Sequence, residues 1–351
     1  MQDRQKEYSG YGSVRNGFEL DSQALETYML KNIPGFEGPI EVKQFKGGQS
    51  NPTYFISSAN NRYVLRKKPM GKLLKSAHAV DREYTIISAL SQTEVPVAKV
   101  YTLCTDESII GSYFYIMEYV EGRIFWSYNQ IPYLDRKEIF NSMNGTIAAL
   151  HDVDYGSIGL SNYGKAGNYF GRQVSRWKKQ YEASKDKSYP VMEKLIEWLE
   201  QNIPDNDETT IVHGDFRLDN MIFHPRENRV IAVIDWELST LGHPLSDFSY
   251  LCIIWRFPDG IMNGFAGVDC QAEGLPTEDE FMDLYCRKTG RKSIENWNYY
   301  MAFNIFRLAA IIFGIKGRIQ EGTAASKQAV ETAKLAVPLS ELGWQQTGLS
   351  S

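Results

Sequence analysis

The sequence predicts an α+β chain in two lobes, a small antiparallel β-sheet lobe with one main helix and then a larger helical lobe. Three observations predict it. Between residues 40 and 118 lie five short runs rich in β-branched and aromatic residues, each bounded by turn formers. One stretch of helical period, Ala77–Leu90, interrupts them. Beyond residue 118 the 3.6-residue pattern dominates, broken only by short apolar strands around residues 210–234.

The 351 residues, 43% apolar and 23% charged, suffice for packed cores and about two lobes. A net charge of -5 argues against a nucleic-acid partner. The four cysteines are scattered and form no Cys-x-x-Cys pair, so neither a zinc cluster nor a disulfide framework is indicated. The five histidines show no metal-ligand spacing. The start is polar and lacks the apolar core of a signal peptide. The longest apolar run, Leu308–Ile315, is too short to span a bilayer. A cytoplasmic protein with no membrane partner is the expectation.

In chain order, residues 1–17 read as a flexible leader. Asp21 caps a helix running through Leu30. Strands follow at Ile40–Lys46, Thr53–Ser58 and Tyr63–Lys67, joined by Gly47-Gly48-Gln49-Ser50-Asn51-Pro52 and by Ser58–Asn61. Such short turns make a meander rather than a βαβ crossover. The Ala77–Leu90 helix has Ala79, Tyr84, Ile87 and Leu90 near one stripe. Strands near Lys99–Leu103 and Tyr113–Glu118 complete the sheet. The first lobe is therefore assigned to residues 18–118 and the second to 119–351. In the second, helices are expected at Asp135–His151, Tyr169–Lys185, Val191–Gln201, Pro244–Trp255, Thr277–Lys288, Ile294–Ile319 and Thr323–Leu339. Short strands fall at Thr210–Val212, Met221–Phe223 and Val230–Ile234, and a long loop at Arg256–Pro276.

The chemistry concentrates in His213-Gly214-Asp215-Phe216-Arg217-Leu218-Asp219-Asn220 and in Val233-Ile234-Asp235-Trp236-Glu237. An Asp near an Asn on a loop is by itself a common turn former. Here the five-residue spacing, the flanking strands and the later Asp235 must all coincide. In protein kinases an Asp accepts the substrate hydroxyl proton, an Asn five positions on holds metal, and an Asp after a later strand holds metal too. His-Gly-Asp in place of His-Arg-Asp, and Asp-Trp-Glu in place of Asp-Phe-Gly, resembles the aminoglycoside phosphotransferase family. That resemblance implies a protein-kinase-like fold and ATP-dependent phosphorylation of a small molecule. It makes Asp215 the proton acceptor and makes Asn220 and Asp235 ligands of Mg²⁺, which suits hard oxygen donors.

The resemblance also assigns a nucleotide side. Glycines in the Gly47–Pro52 turn let backbone N–H groups approach phosphate, so Gly48, Ser50 and Asn51 are candidate contacts. This turn is no Walker A loop and opens no helix, which disfavours a P-loop or Rossmann site. On the third strand of the meander Arg66 stands where kinases carry Lys. Strand alternation puts Val64 and Arg66 on one face and Lys67 on the other, so the two cations compete for the phosphate role. Glu83 is the expected helix partner. Met117-Glu118-Tyr119-Val120 resembles the hinge that binds adenine, with the backbone of Glu118 and Val120 as contacts. Asp247, at a helix start, reads as a structural brace for His213. Trp236 and Tyr250 read as core.

Three segments resemble one branch of the family: Gly47–Thr53, Ser76–Tyr84 and Asp235–Pro244. That branch is the kinase-like half of acyl-CoA dehydrogenase fusion proteins and their free-standing bacterial relatives. It implies a small-molecule hydroxyl acceptor such as a hydroxyacyl-CoA or hydroxy acid. Charge points the same way. Arg172–Lys179 is basic, and Arg307, Lys316 and Arg318 follow on a later helix, whereas a polycationic aminoglycoside needs carboxylates. A solvated helix face explains the same cations equally well. The alternatives are an aminoglycoside- or choline-type kinase, and a catalytically weak nucleotide-binding pseudokinase associated with fatty-acid oxidation.

Overall fold

The computed structural model describes residues 10–47, 51–69, 79–258, 261, 264–322 and 327–349. The chain divides into two compact units. The first takes Met1–Thr146, Gly156–Leu160 and Leu218–Ser239; the second takes Ile147–Tyr155, Ser161–Arg217 and Thr240–Ser351.

The first unit is built on a six-stranded sheet. Its strands are β1 (Tyr11–Gly12), β2 (Glu41–Phe45), β3 (Thr53–Ser57), β4 (Arg62–Lys67), β5 (Val100–Cys104) and β6 (Phe114–Glu118). The spatial order is β1-β2-β3-β4-β6-β5 and every pair is antiparallel. Short turns allow neighbouring strands to pair directly, as the meander predicts. Helix α1 (Ser22–Asn32) is capped by Asp21, which accepts the Ala24 N–H at 2.9 Å. Its Leu25 and Met29 join Tyr54, Ile56, Leu65, Phe114 and Ile116 in one buried cluster. Full burial of such a side chain stabilises by about 1.5–3 kcal/mol, so this cluster fixes the strand register.

Period-two alternation then decides where the charges go. With Tyr63 and Leu65 of β4 in that cluster, Val64 and Arg66 lie on the opposite face. Helix α2 (Val80–Leu90) brings the buried Glu83 to Arg66. Residues 70–78, including the expected start of this helix, lie outside the described residues.

Two features of the first unit differ from expectation. Residues 10–17, expected in a flexible leader, include β1, which pairs with Phe45 and Gln44. The Tyr11 ring stacks on Phe55 with centroids 4.1 Å apart, and that contact anchors a two-residue strand. The compact units also ignore the boundary at residues 118 and 119. The hairpin of β8 (Met221–Phe223) and β9 (Val230–Val233) belongs with the sheet. Phe223 and Arg123 exchange two backbone hydrogen bonds of 2.8 Å, and Val233 N–H donates to Pro96 O at 2.8 Å. The approach is so close that a Cβ on Gly122 would lie 2.4 Å from the Phe223 carbonyl oxygen.

Helix α3 (Arg136–Asp152) contributes residues to both units. The second unit holds helices α4 (Tyr169–Ser184), α5 (Pro190–Gln201), α6 (Pro244–Cys252), α7 (Glu278–Thr289), α8 (Trp297–Gln320), α9 (Lys327–Ala333) and α10 (Ala336–Gln345). Strands β7 (Thr210–Val212) and β10 (Thr240–Gly242) pair antiparallel. Helix α8 alone among the described residues is long and apolar enough to cross a membrane, but 72% of that window is buried within the fold. A central core helix has this character. The single helix expected at Thr323–Leu339 is broken in its described part between α9 and α10. Pro338 explains the break: its ring would clash with the Lys334 carbonyl of a continuous helix, so it sits in the first turn of a new one.

Candidate active site

The residues singled out by the sequence fall into two groups, one in each unit. In the first unit Asn51, Glu83 and Asp235 gather around Arg66. Its Nε lies 3.0 Å from Glu83 Oε2 and its Nη2 lies 3.1 Å from Asp235 Oδ1. Tyr115 donates its hydroxyl to Glu83 Oε2 at 3.0 Å, and Asn51 Nδ2 donates to Glu83 Oε1 at 2.8 Å. The same Asn51 nitrogen is 3.4 Å from Glu237 Oε2. Arg66, Glu83 and Asn51 are buried. Burial opposes the Arg66 charge, but the Glu83 carboxylate, with Tyr115 and Asp235 behind it, more than offsets this and holds the guanidinium as a cation. Losing one member of such a buried pair with nothing in its place costs about 3–5 kcal/mol.

Lys67 lies on the other face of β4. Its Nζ donates to the Ile110 carbonyl at 2.9 Å, and burial pushes its pKa down. Arg66, not Lys67, is thus the cation seen beside Glu83 and Asp235. Gly48 and Ser50 lie outside the described residues. Asn51 is described, and its amide nitrogen faces the carboxylates of Glu83 and Glu237.

Asp235 is held by backbone on both sides. Ile234 N–H donates to the Asn220 carbonyl at 3.0 Å, and Trp236 Nε1 donates to Val233 O at 2.9 Å. Asp235 itself adopts φ 69°, a left-handed conformation rare outside glycine. Such strain of order 1–3 kcal/mol persists where surroundings impose it and clusters at functional sites. Its side chain remains 36% exposed, so the carboxylate is reachable by a ligand. Among the described residues no group of three or more His, Cys, Asp or Glu could hold a metal by itself. Asn220 and Asp235 offer oxygen donors from a turn and a strand end. Such a sparse set fits Mg²⁺, which is held by one or two carboxylates together with substrate phosphates and water.

At the end of β6, Glu118 N–H donates to Lys99 O at 2.8 Å, and its carboxylate accepts Lys99 N–H at 2.7 Å. Among the described residues the N–H and C=O of Val120 carry no hydrogen bond.

In the second unit the centre is Asp215. It follows β7 in a turn that Asp247 braces from the first turn of α6. Asp247 accepts His213 N–H at 2.5 Å and Gly214 N–H at 2.8 Å. Burial opposes its charge, but His151, 3.7 Å away, and the His213 N–H together hold its carboxyl below the usual range. Gly214 has φ 84°, so this turn requires glycine. Asp215 N–H closes the turn on His213 Nδ1 at 3.2 Å. Asp247 is therefore the brace expected, acting through backbone donors.

Sequence reasoning missed two side chains here. Tyr250, read as core, is buried, and its hydroxyl donates to Asp215 Oδ1 at 2.7 Å. Arg307 donates from Nη2 to Gly214 O at 2.6 Å and lies over the Tyr250 ring, Cζ 5.3 Å from its centroid. A signal for Tyr250 existed: it follows Asp247 by three residues, hence on the same side of α6.

Comparison with known proteins agrees with this geometry. The pattern of the phosphotransferase enzyme family, APH, matches residues 41–284. Mouse acyl-CoA dehydrogenase family member 10 is 46% identical over 338 residues, 94% of this chain and 31% of that protein. The chain thus spans about a third of that relative's length. A Ralstonia eutropha protein solved as a candidate aminoglycoside phosphotransferase is 49% identical with a TM-score of 0.88, covering 94% of this chain and 99% of that one. An aminoglycoside phosphotransferase solved with AMP-PNP and hygromycin B shares the fold at 13% identity, TM-score 0.61, over 93% of this chain and all of that one. The fold is protein-kinase-like, with an antiparallel sheet toward the N-terminus and helices toward the C-terminus.

Proposed function

The chain belongs to the APH phosphotransferase enzyme family, and on that premise we propose that it moves the γ-phosphate of ATP, with Mg²⁺, to a hydroxyl of a small anionic acceptor. A hydroxyacyl-CoA or hydroxy acid is the acceptor class. The observation that carries this reading is the turn holding Asp215, a carboxylate presented on backbone fastened by the buried Asp247.

The roles follow from the two groups. Arg66, held by Glu83, meets phosphate oxygens with a charge that does not titrate. Val120 backbone receives the base. Asn220 and Asp235 hold Mg²⁺, which when bound neutralises phosphate charge. Asp215 accepts the proton as the acceptor O–H bond breaks and the new O–P bond forms. The bond from the γ-phosphorus to its bridging oxygen breaks, and the electron pair leaves with ADP. Five residues of chain separate Asp215 from Asn220, the interval the kinase pattern uses.

The structure narrows the charge argument. Lys178 pairs with Glu200 at 2.8 Å, Lys316 pairs with Asp186 at 3.1 Å, and Arg172 donates to the Lys165 carbonyl at 2.6 Å. Among the described residues Arg176, 5.1 Å from the Trp177 ring centroid, and Lys179 pair with no carboxylate and are the cations left to favour an anion. The acyl-CoA link is supported by the name of the mouse relative and by these two cations.

The test is Mg²⁺-dependent ATP consumption by the purified protein across hydroxyacyl-CoAs, hydroxy acids, choline and aminoglycosides, with Asp215→Ala as control. Turnover confined to choline or aminoglycosides overturns the acceptor class. Nucleotide binding without turnover on any acceptor identifies a pseudokinase.

A further inference from the structure

We propose that Tyr250 is a positioning residue for Asp215: its hydroxyl sets the orientation of the carboxylate that receives the acceptor's proton, and Arg307 sets Tyr250. This deepens the reading above and rests on it.

The alternative is a core tyrosine, and the contacts argue against that. A residue that only fills space needs a ring, and a buried phenol O–H can be satisfied by any acceptor. Here the O–H lies 2.7 Å from one oxygen of the single carboxylate on which the chemistry depends. Burial and the adjacent Asp215 charge hold the Tyr250 hydroxyl well above its ordinary pKa. It is therefore a neutral donor throughout the working range and never a competing base.

The ring is itself fixed. Arg307, from the central helix α8, lies over it and also ties the Gly214 carbonyl. Helix α6 thus holds the turn twice. Asp247 fastens its backbone, and Tyr250, three residues later, fastens its reactive side chain. The torsion of an aspartate carboxylate is broad and roughly two-fold, so its plane is set by the partners its oxygens meet. Tying Oδ1 removes that freedom before the acceptor arrives, and misplacement of a reacting group by about 1 Å costs on the order of 100-fold in rate.

Tyr250→Phe removes the hydroxyl and keeps the ring. With MgATP and the best acceptor of the panel, kcat is expected to fall by about 10–100-fold. KM for ATP, whose candidate contacts lie in the first unit, should change less than about twofold, and the thermal midpoint should hold. In a crystal structure of the variant the Asp215 carboxylate should be rotated or disordered. If the wild type turns over, Asp215→Asn does not, and Tyr250→Phe matches the wild type, the positioning role is overturned and the kinase reading stands. If the wild type is no faster than Asp215→Asn on every acceptor, the kinase reading fails. The crystal structure then decides the positioning role separately, and an unmoved carboxylate sinks it.

Discussion

The two units each bury a carboxylate beside the candidate chemistry, and they satisfy it by opposite means. Glu83 is met chiefly by side chains: Arg66, Asn51 and Tyr115. Asp247 is met by the backbone donors of His213 and Gly214. A side-chain cluster can be re-paired when a ligand brings new charge, because each member keeps rotatable bonds. A carboxylate that grips main chain fixes a shape. The first arrangement suits a site that takes up and releases a charged nucleotide. The second suits one that must present a single group the same way in every cycle.

Removing Asp215 tests the presenting side most severely. Asp215→Ala should lower transfer by about 10³-fold or more, while ATP affinity stays within about threefold, because general-base positioning is lost and nucleotide contacts are not. Single-turnover rates with a parallel nucleotide titration check this. An equal loss in both would erase the division of labour between the units.

Asp247→Ala comes next. It leaves two buried N–H groups without their acceptor, at about 1–3 kcal/mol each. We expect a loss of about 3 kcal/mol in urea unfolding, with a parallel fall in kcat. Glu83→Gln should be milder, because an amide can still accept from Tyr115 and Asn51, although Arg66 loses a counter-charge. If the two variants lose equal stability, the contrast between backbone and side-chain satisfaction fails.

Acid probes the same brace at its root. His243 caps α6, the helix that carries Asp247 and Tyr250. Its Nδ1 accepts Leu245 N–H at 3.2 Å, so Nε2 carries the proton facing Asn206 O at 3.1 Å. Burial first, against the pull of Glu208, lowers its pKa to about 4. The unfolded value is about 6.5, so below that pH the unfolded chain binds the proton more readily. The stabilisation is complete above about pH 6.5 and is lost as pH falls toward 4, roughly 3 kcal/mol in all. His243→Asn keeps a capping oxygen that does not titrate. Its unfolding free energy should fall less steeply over this interval, and an unchanged slope would show that His243 is not the group responsible.

The contrast also explains what could be read from the sequence. Glu83 and Asp235 were legible as neighbours of Arg66 because spacing and strand alternation are local properties. Arg66 was legible as a member of a pair, and Leu65 in the core decides its face. Tyr250 was marked only by its spacing from Asp247, because every residue of α6 is buried and no polar stripe marks one side. Strand β10, Thr240–Gly242, was not legible, since a single apolar residue marks it and a glycine ends it. The α9–α10 break was readable from Pro338 but was overridden by continuous helical period. Tyr11 gave no signal, because its partner Phe55 is distant in sequence.

The smallest effect expected is the one most particular to this chain. Arg66→Lys keeps the charge and loses the fork. Guanidinium sets Nε 3.0 Å from Glu83 Oε2, while Nη2 donates to Glu83 Oε1 at 3.4 Å and to Asp235 Oδ1 at 3.1 Å, with both nitrogens in one fixed plane. An ammonium is a compact point charge that cannot hold both carboxylates in that geometry. Glu83 is the deeper partner, 1% exposed against 36% for Asp235, so lysine should stay with Glu83 and release Asp235. The loss should be about 1 kcal/mol, seen as a roughly fivefold rise in KM for ATP with kcat little changed. A released Asp235 would also meet Mg²⁺ without competition, so the Mg²⁺ concentration giving half-maximal rate should not rise. If it rises in step with KM for ATP, the Arg66–Asp235 pair orders Asp235 for metal rather than competing with it, and the view of this cluster as one that re-pairs is wrong.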